Sequence, residues 1–216
     1  MQAVRVHPEG ELRFESAPDP VAGPGEVVVE LQRAAVNRRD LLVRRGVYPF
    51  PLPIVPGSDG AGLRRDTGEE VVILPSLAWG SGEAAPGPGF EILGGPRDGT
   101  YAELVVVPEE NVLPRPAGMS WDEAASFPLA GLTAYRALFS RGRLRAGETV
   151  LVLGAGSGVS TFAVQLAAQA GARVLVTTST TEKLDRAVSL GADAGVLYPD
   201  ADWAAPCASS PASATG

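Results

Sequence analysis

The sequence has 216 residues, 45% apolar and 20% charged, enough for one large domain or two small ones and too apolar for disorder as the default. A formal net charge of −7 supplies no basic footprint for a phosphate backbone, so a nucleic-acid partner is excluded. One cysteine, Cys207, and one histidine, His7, provide neither an internal disulfide nor the three or four ligands of a zinc site.

The N-terminus reads directly as a strand, Gln2 to Val6, rather than as a targeting segment, and His7 beside Pro8 reads as a surface position. No apolar run approaches a membrane span, so a soluble, cytoplasmic protein with no membrane partner is expected. Further strands are expected at Glu26 to Ala35, Glu70 to Leu74 and Tyr101 to Val107, in a Gly- and Pro-rich first part with barrel-like patterning. A short helix is expected from Asn37 to Arg45. Pro49, Pro51, Pro53 and Pro56 forbid regular structure after it, and Ser76 to Asp98 reads as a surface lobe. The arginine groups Arg38/Arg39, Arg44/Arg45 and Arg141/Arg143/Arg145 read as solvated surface.

The character changes near Pro116. Ser120-Trp-Asp-Glu123 is a capping box, in which hydroxyl and carboxylate satisfy each other's free amides. Pro128 interrupts that helix, and a second runs from about Ala130 to Ser140 with Leu132, Tyr135 and Leu138 or Phe139 on one face. Strand then alternates with helix: Thr149 to Leu153, Gly158 to Ala170, Arg173 to Val176, a helix opened by Ser179-Thr-Thr-Glu182, and Ala194 to Tyr198. The first of these helices is expected to bury Val159, Phe162, Ala163, Leu166 and Ala170. Such alternation implies right-handed parallel crossovers, hence an α/β fold. Ala201 to Gly216 is mostly Ala, Ser and Pro and reads as a disordered tail.

The chemistry-bearing motif is Gly154-Ala155-Gly156-Ser157-Gly158-Val159, between a strand and a helix. Glycines there let backbone approach a pyrophosphate, and the helix N-terminus offers free N–H groups and a positive dipole end. A tight turn in an unrelated α/β protein and the glycine loop of a methyltransferase are the competing readings. Both a methyltransferase and an NAD enzyme are expected to place an acid near the end of the second strand, about 20 residues after the loop begins. Here that strand ends Thr177-Thr178-Ser179-Thr180. Short hydroxyls at Thr178 and Ser179 leave space for a 2′-phosphate within reach of Lys183, the only lysine, so NADPH is expected, with NADH as the alternative.

Several segments in order resemble the medium-chain dehydrogenase/reductase superfamily, in its zinc-free quinone-oxidoreductase-like branch. They are Ala35-Val-Asn37-Arg-Arg-Asp40, Pro56-Gly57-Ser-Asp59-Gly-Ala-Gly62, Asp98-Gly-Thr-Tyr101-Ala-Glu103, Ala130-Gly131-Leu-Thr133-Ala-Tyr135, the glycine loop, Val164-Gln165-Leu166-Ala167 and Glu182-Lys183-Leu184. The resemblance spans about Met1 to Tyr198. It implies a GroES-like β-barrel catalytic domain over 1–118, a partial Rossmann domain, that is part of a doubly wound parallel sheet, over 119–200, and a tail over 201–216. Zinc-using relatives carry Cys where this chain has Asn37, His where it has Ser58 and Cys near Leu129, and four cysteines in the lobe where this chain has none, so no metal is expected.

What the resemblance implies is hydride transfer from NADPH to a quinone or an α,β-unsaturated carbonyl. The Asn37 amide or the Tyr48 hydroxyl is the candidate donor to the developing oxyanion. Asn37 is equally a helix N-cap, and Tyr48 equally a packing partner of Pro49. Asp40 and Asp59 are expected to be structural, and Thr133 resembles the family threonine beside the nicotinamide. The partner is a small-molecule substrate. Relatives are often homodimers through a sheet edge that this chain does not fully possess. A metal-free enoyl-thioester reductase, a non-catalytic fragment and, last, a methyltransferase remain as alternatives.

Family members continue well beyond this length, with sheet order 3-2-1-4-5-6. The sequence therefore reads as a truncated or frameshifted product, out of frame after about Ala205, with the strand Thr149 to Leu153 keeping a bare apolar edge.

Overall fold

A computed structural model describes residues 1–199. The expected tail over 201–216, with Cys207, lies outside the described residues. The chain forms two compact units, Met1–Leu129 and a second beginning at Ala130. No helix among the described residues is long and apolar enough to cross a membrane.

The first unit is built on β3 (Glu26–Ala35), which pairs antiparallel with β4 (Asp59–Arg64) on one side and β8 (Leu104–Pro108) on the other. With β5 (Glu70–Ile73) and β9 (Val112–Pro114) it forms a five-stranded sheet in the order β8-β3-β4-β5-β9. Alternation along β3 sends Val27 and Val29 into a core with Val71, Ile73, Val105 and Val107, while Glu30 faces solvent. β1 (Gln2–Val6) and β2 (Leu12–Ser16) form a separate antiparallel pair. On it His7 Nε2 meets Glu15 Oε1 at 2.8 Å. The short helix α1 (Arg38–Arg44) is tied down by Val6, Val43 and Ile54 with Phe50.

Three sequence expectations need correction here. The Ser76 to Asp98 segment is not wholly a surface lobe: β6 (Ser76–Leu77) pairs with β7 (Glu91–Ile92), and Leu77 and Leu93 are core residues. β4 was not expected, because Gly60, Ala61 and Gly62 lack side chains that favour a strand. A Cβ at Gly62 would run into the Glu30 carbonyl of the neighbouring strand, so close backbone packing selects glycine there. Finally, α2 (Trp121–Ser126) packs Ala124 and Ala125 on Ala61, which puts it in the first unit rather than in a second domain starting at 119. Its capping box is as expected: Ser120 Oγ accepts from the Glu123 amide (3.2 Å), and the Glu123 carboxylate accepts from the Ser120 amide (2.8 Å).

In the second unit, β10 (Thr149–Val152), α4 (Gly158–Gln169), β11 (Arg173–Thr178), α5 (Thr181–Ser189) and β12 (Ala194–Leu197) wind a three-stranded parallel sheet in the order β10-β11-β12. The α/β class expected from the sequence, a barrel-type sheet and then the first half of a doubly wound parallel sheet, is therefore present. Ala163, Val164 and Ala167 of α4 are buried against Val174 and Val176, with Phe162 and Leu166 partly buried beside them. The buried face is rotated from the expected one, and Val159 is exposed. Among the described residues β10 lies at the edge of this sheet, with Leu151 and Leu153 41% and 63% exposed.

Pro128 opens a helix, α3 (Pro128–Tyr135), whose proline needs no N–H in the first turn. A π-helical stretch, Arg136–Arg141, continues it. The buried stripe is Ala130, Ala134 and Leu138, not Leu132 and Tyr135, which are exposed. Small residues let this helix approach its neighbours closely, and the bulkier side chains face out.

Candidate functional site

The first unit gathers Asn37, Asp40, Asp59 and Tyr101 into one network. Asn37 lies two residues after β3 and caps α1. Its main-chain N–H donates to Asp40 Oδ2 (2.7 Å), and its side-chain Nδ2 donates to Asp59 Oδ2 (2.9 Å). The bond to Asp40 and the bond to Asp59 thus use different atoms of one residue. Asp59 Oδ1 accepts from the Leu129 amide (2.8 Å). Burial is the main influence on Asp59, a fully buried residue, and raises its pKa from 3.8 to about 6 against the stabilising bonds from Asn37 and Leu129. Asp40, also buried, accepts from the Tyr101 hydroxyl (2.7 Å), while its Oδ1 has no hydrogen-bond partner. The Tyr101 phenol is pushed well above its ordinary range, first by burial and then by that bond to a carboxylate. Every bond described for the two aspartates is to the protein itself.

Beside this network stands a second cluster. Ser58 Oγ donates to the Leu93 carbonyl (2.7 Å). Arg39 reaches Ser58 Oγ (3.4 Å) and the carbonyls of Leu93 and Gly94 (3.3 Å each) through Nη1, and the Gly95 carbonyl (2.6 Å) through Nη2. Its guanidinium carbon lies 5.6 Å from the Tyr48 ring centre and 5.7 Å from that of Phe50. The two rings stack at 6.0 Å. Tyr48 is 40% exposed. No described bond joins Asn37 to Tyr48 directly; the neighbours Arg39–Asp40 and Ser58–Asp59 link their clusters. The reading of the Arg38/Arg39 pair as solvated surface fails for Arg39, which is half-buried while Arg38 is exposed. Its place inside the quoted Asn37 to Asp40 motif was the signal in the sequence.

These residues do not fit a zinc ion. Asn37 and Ser58 supply no thiolate or imidazole, and both turn a hydrogen-bond donor onto a protein oxygen. Among the described residues no three His, Cys, Asp or Glu side chains gather as metal ligands.

The second unit holds the glycine loop. Gly154 and Gly156 take φ of +70° and +108°, a region that disfavours side chains. The loop is laced from its inner side. The Ala155 N–H donates to the Thr177 carbonyl (2.8 Å) and the Ala155 carbonyl accepts from Thr178 Oγ1 (2.9 Å). The Gly154 N–H donates to Thr177 Oγ1 (3.2 Å), and Ser160 Oγ donates to the Gly154 carbonyl (3.1 Å). Ser157 caps α4, its Oγ accepting from the Ser160 amide (3.2 Å). What faces outward is backbone: Gly156, Ser157, Gly158 and Val159 are all exposed, and the first helical amides of Gly158 and Val159 have no carbonyl within the helix to bond.

Two expected cofactor contacts change character. Thr178 is fully buried, so its hydroxyl holds the loop from behind rather than facing a 2′-phosphate. Ala155 is buried too, with both its main-chain groups spent on β11. Ser179, just past the end of β11, is half-buried and Lys183 on α5 is exposed, with Lys183 Nζ donating to Ser179 Oγ (2.9 Å). The cap of α5 is Thr180, not Ser179. Lys183, Arg186 and Gly156 line one cleft between α4 and α5. Arg186, a second cation there, was not singled out from the sequence, although it lies three positions after Lys183 and so on the same helix face. Thr133 is exposed on α3.

The family description "alcohol dehydrogenase GroES-like domain" matches residues 23–117. A zinc-type alcohol dehydrogenase-like protein of Schizosaccharomyces pombe is 41% identical over 197 residues, covering 85% of this chain and 57% of that protein. A trans-enoyl reductase of Aspergillus terreus is 33% identical over 218 residues, covering 93% of this chain and 69% of the other. Among solved structures, an NAD-dependent alcohol dehydrogenase superposes with a TM-score of 0.87 at 43% identity, over 94% of this chain and 65% of its own. The quinone oxidoreductase of Thermus thermophilus, studied also as its NADPH complex, gives 0.75 at 35% identity over 92% of this chain and 60% of its own. The chain thus spans less than two thirds of the length of the first of these relatives.

Proposed function

The chain belongs to the medium-chain dehydrogenase/reductase superfamily, and from that premise we propose that it serves NADPH-dependent reduction of a quinone or an α,β-unsaturated carbonyl compound without zinc. The observation that carries the reading is the outward-facing backbone of Gly156 to Val159 beside Ser179, Lys183 and Arg186. A pyrophosphate finds free amides at the start of α4. The extra phosphate of NADPH finds two cations on α5 and no acid among Thr177 to Thr180 to repel it. Bound NADPH supplies the hydride.

Tyr48 presents a hydroxyl donor at an exposed position in the first unit. Asn37 keeps one amide hydrogen beyond the one given to Asp59. Neither group is a thiolate or imidazole ligand, and without a Lewis acid an alkoxide is harder to stabilise than the charge that develops on an electron-poor double bond. The Aspergillus terreus relative, named a trans-enoyl reductase, favours an activated C=C over a simple alcohol, and the enoyl-thioester reading stays within the same chemistry.

The test is fluorescence titration with NADPH and NADH, followed by NADPH oxidation with cyclohexenone and benzoquinone, each with and without a chelator. Tighter binding of NADPH and chelator-insensitive enone or quinone reduction support the proposal. Alcohol oxidation abolished by the chelator overturns it.

A further inference from the structure

Arg39 is the cation of the first-unit site: its hydrogen bonds go only to neutral oxygens, and the Asp40 carboxylate beside it supports its charge without bonding to it. It is half-buried and, among the described residues, forms no ion pair. Its partners are three main-chain carbonyls and a serine hydroxyl. Those oxygens fix the guanidinium in place but do not neutralise it, and arginine keeps its proton even when burial opposes the charge. The neighbouring acid Asp40 already accepts from the Asn37 amide and the Tyr101 hydroxyl. Asp59 is held by Asn37 and Leu129. The described bonds use Nη1 and Nη2 and leave some of the five N–H donors for another acceptor. Tyr48 and Phe50 flank the cation and limit its hydration.

We propose that Arg39 is a catalytic residue of the reduction suggested above: its guanidinium binds the substrate carbonyl oxygen and holds the negative charge that gathers there. This rests on the reading of the protein as a reductase of activated double bonds. In the step, hydride leaves the dihydronicotinamide C4 and forms a C–H bond at the substrate β-carbon. The C=C π pair moves to give an enolate, so the cofactor is oxidised by two electrons and the substrate reduced. The enolate oxygen pairs with Arg39, and a solvent proton then reaches the α-carbon. A cation already fixed on the carbonyls of Leu93, Gly94 and Gly95 needs no reorganisation as that charge appears, which is the condition for effective stabilisation.

The experiment uses 4-nitrophenol, whose phenolate imitates an enolate oxygen and absorbs visible light, on the protein without cofactor. The wild-type protein is expected to hold the dye as phenolate at a pH below its ordinary ionisation, with the proton affinity lowered about tenfold. Arg39→Gln is expected to abolish that shift and Arg39→Lys to keep part of it. In turnover, Arg39→Gln is expected to lower kcat about 100-fold with KM changed little. A wild-type protein that binds the dye neutral, or not at all, overturns the proposal without any variant having to fold. An unchanged kcat in a folded Arg39→Gln variant does the same. If the phenolate shift is present and arginine-dependent while neither enone nor quinone is reduced, the anion site stands and the reductase reading is what fails.

Discussion

Asp59→Asn tests the buried network most directly. The Asp59 carboxyl has a pKa raised to about 6 in the folded protein against 3.8 as its ordinary value. Between those two values the native state holds a proton that the unfolded state has released. Stability therefore falls as pH rises through this window, and is constant above and below it. At ~1.4 kcal/mol per pH unit the wild type gives up roughly 3 kcal/mol from this group between pH 4 and pH 7. The carboxamide that the substitution introduces does not ionise. It does lose one acceptor for the donors of Asn37 and Leu129, which costs about 1–2 kcal/mol at every pH. Urea unfolding of both proteins across pH 4 to 7 separates the two effects. The variant should be the less stable at pH 4 and gain about 3 kcal/mol relative to wild type by pH 7, the difference cancelling all other carboxylates. A stability difference that does not vary with pH would falsify the account of Asp59 as a carboxyl raised by burial.

Gly156→Val places a side chain at φ +108°, with its Cβ 3.0 Å from Lys183 Cδ, and should weaken nucleotide binding at least about tenfold by fluorescence titration. Lys183→Ala should raise the Kd for NADPH by roughly tenfold, one charge-assisted hydrogen bond, and leave that for NADH unchanged; parallel loss for both cofactors would remove the lysine from phosphate selection. Ser120→Ala should lower stability by about 1 kcal/mol in urea unfolding through loss of the α2 cap, with nucleotide affinity untouched.

The parts of the fold legible in the sequence are those whose local chemistry already agrees with their surroundings. The bounds of β3 read directly as Glu26–Ala35 because valine alternation and strand propensity coincide. Ser120 and Glu123 announce α2 because their reciprocal bonds are local. The βαβαβ run reads cleanly because apolar strands end in glycine and hydroxyl caps. What stayed hidden depends on partners distant in the chain. β4 is a strand because Gly60, Ala61 and Gly62 permit close approach to β3, a reason absent from any window around them. Thr178 resembles a ligand-facing hydroxyl until the carbonyl of Ala155, 23 positions away, is seen to accept its hydrogen bond. Arg39 looks like half of an exposed basic pair until Leu93 to Gly95 are brought beneath it.

The same distinction explains why Asn37 carries two roles without conflict. A cap needs only a main-chain geometry and an acceptor in the next turn, and Asp40 provides the acceptor through its own side chain. That leaves the Asn37 amide to meet Asp59, whose buried carboxylate needs every donor it can reach. Asp59 in turn is fixed by the Leu129 amide and by Thr100, whose hydroxyl donates to its main-chain carbonyl (2.8 Å). Burying two carboxyl groups in one small barrel unit is unfavourable, and one oxygen of Asp40 remains unpartnered. Such a penalty persists where the arrangement fixes something of use. What it fixes is the start of α1, from which Arg39 projects to the carbonyls of Leu93 to Gly95. The acids hold the helix, and the arginine that projects from it bonds only to neutral oxygens.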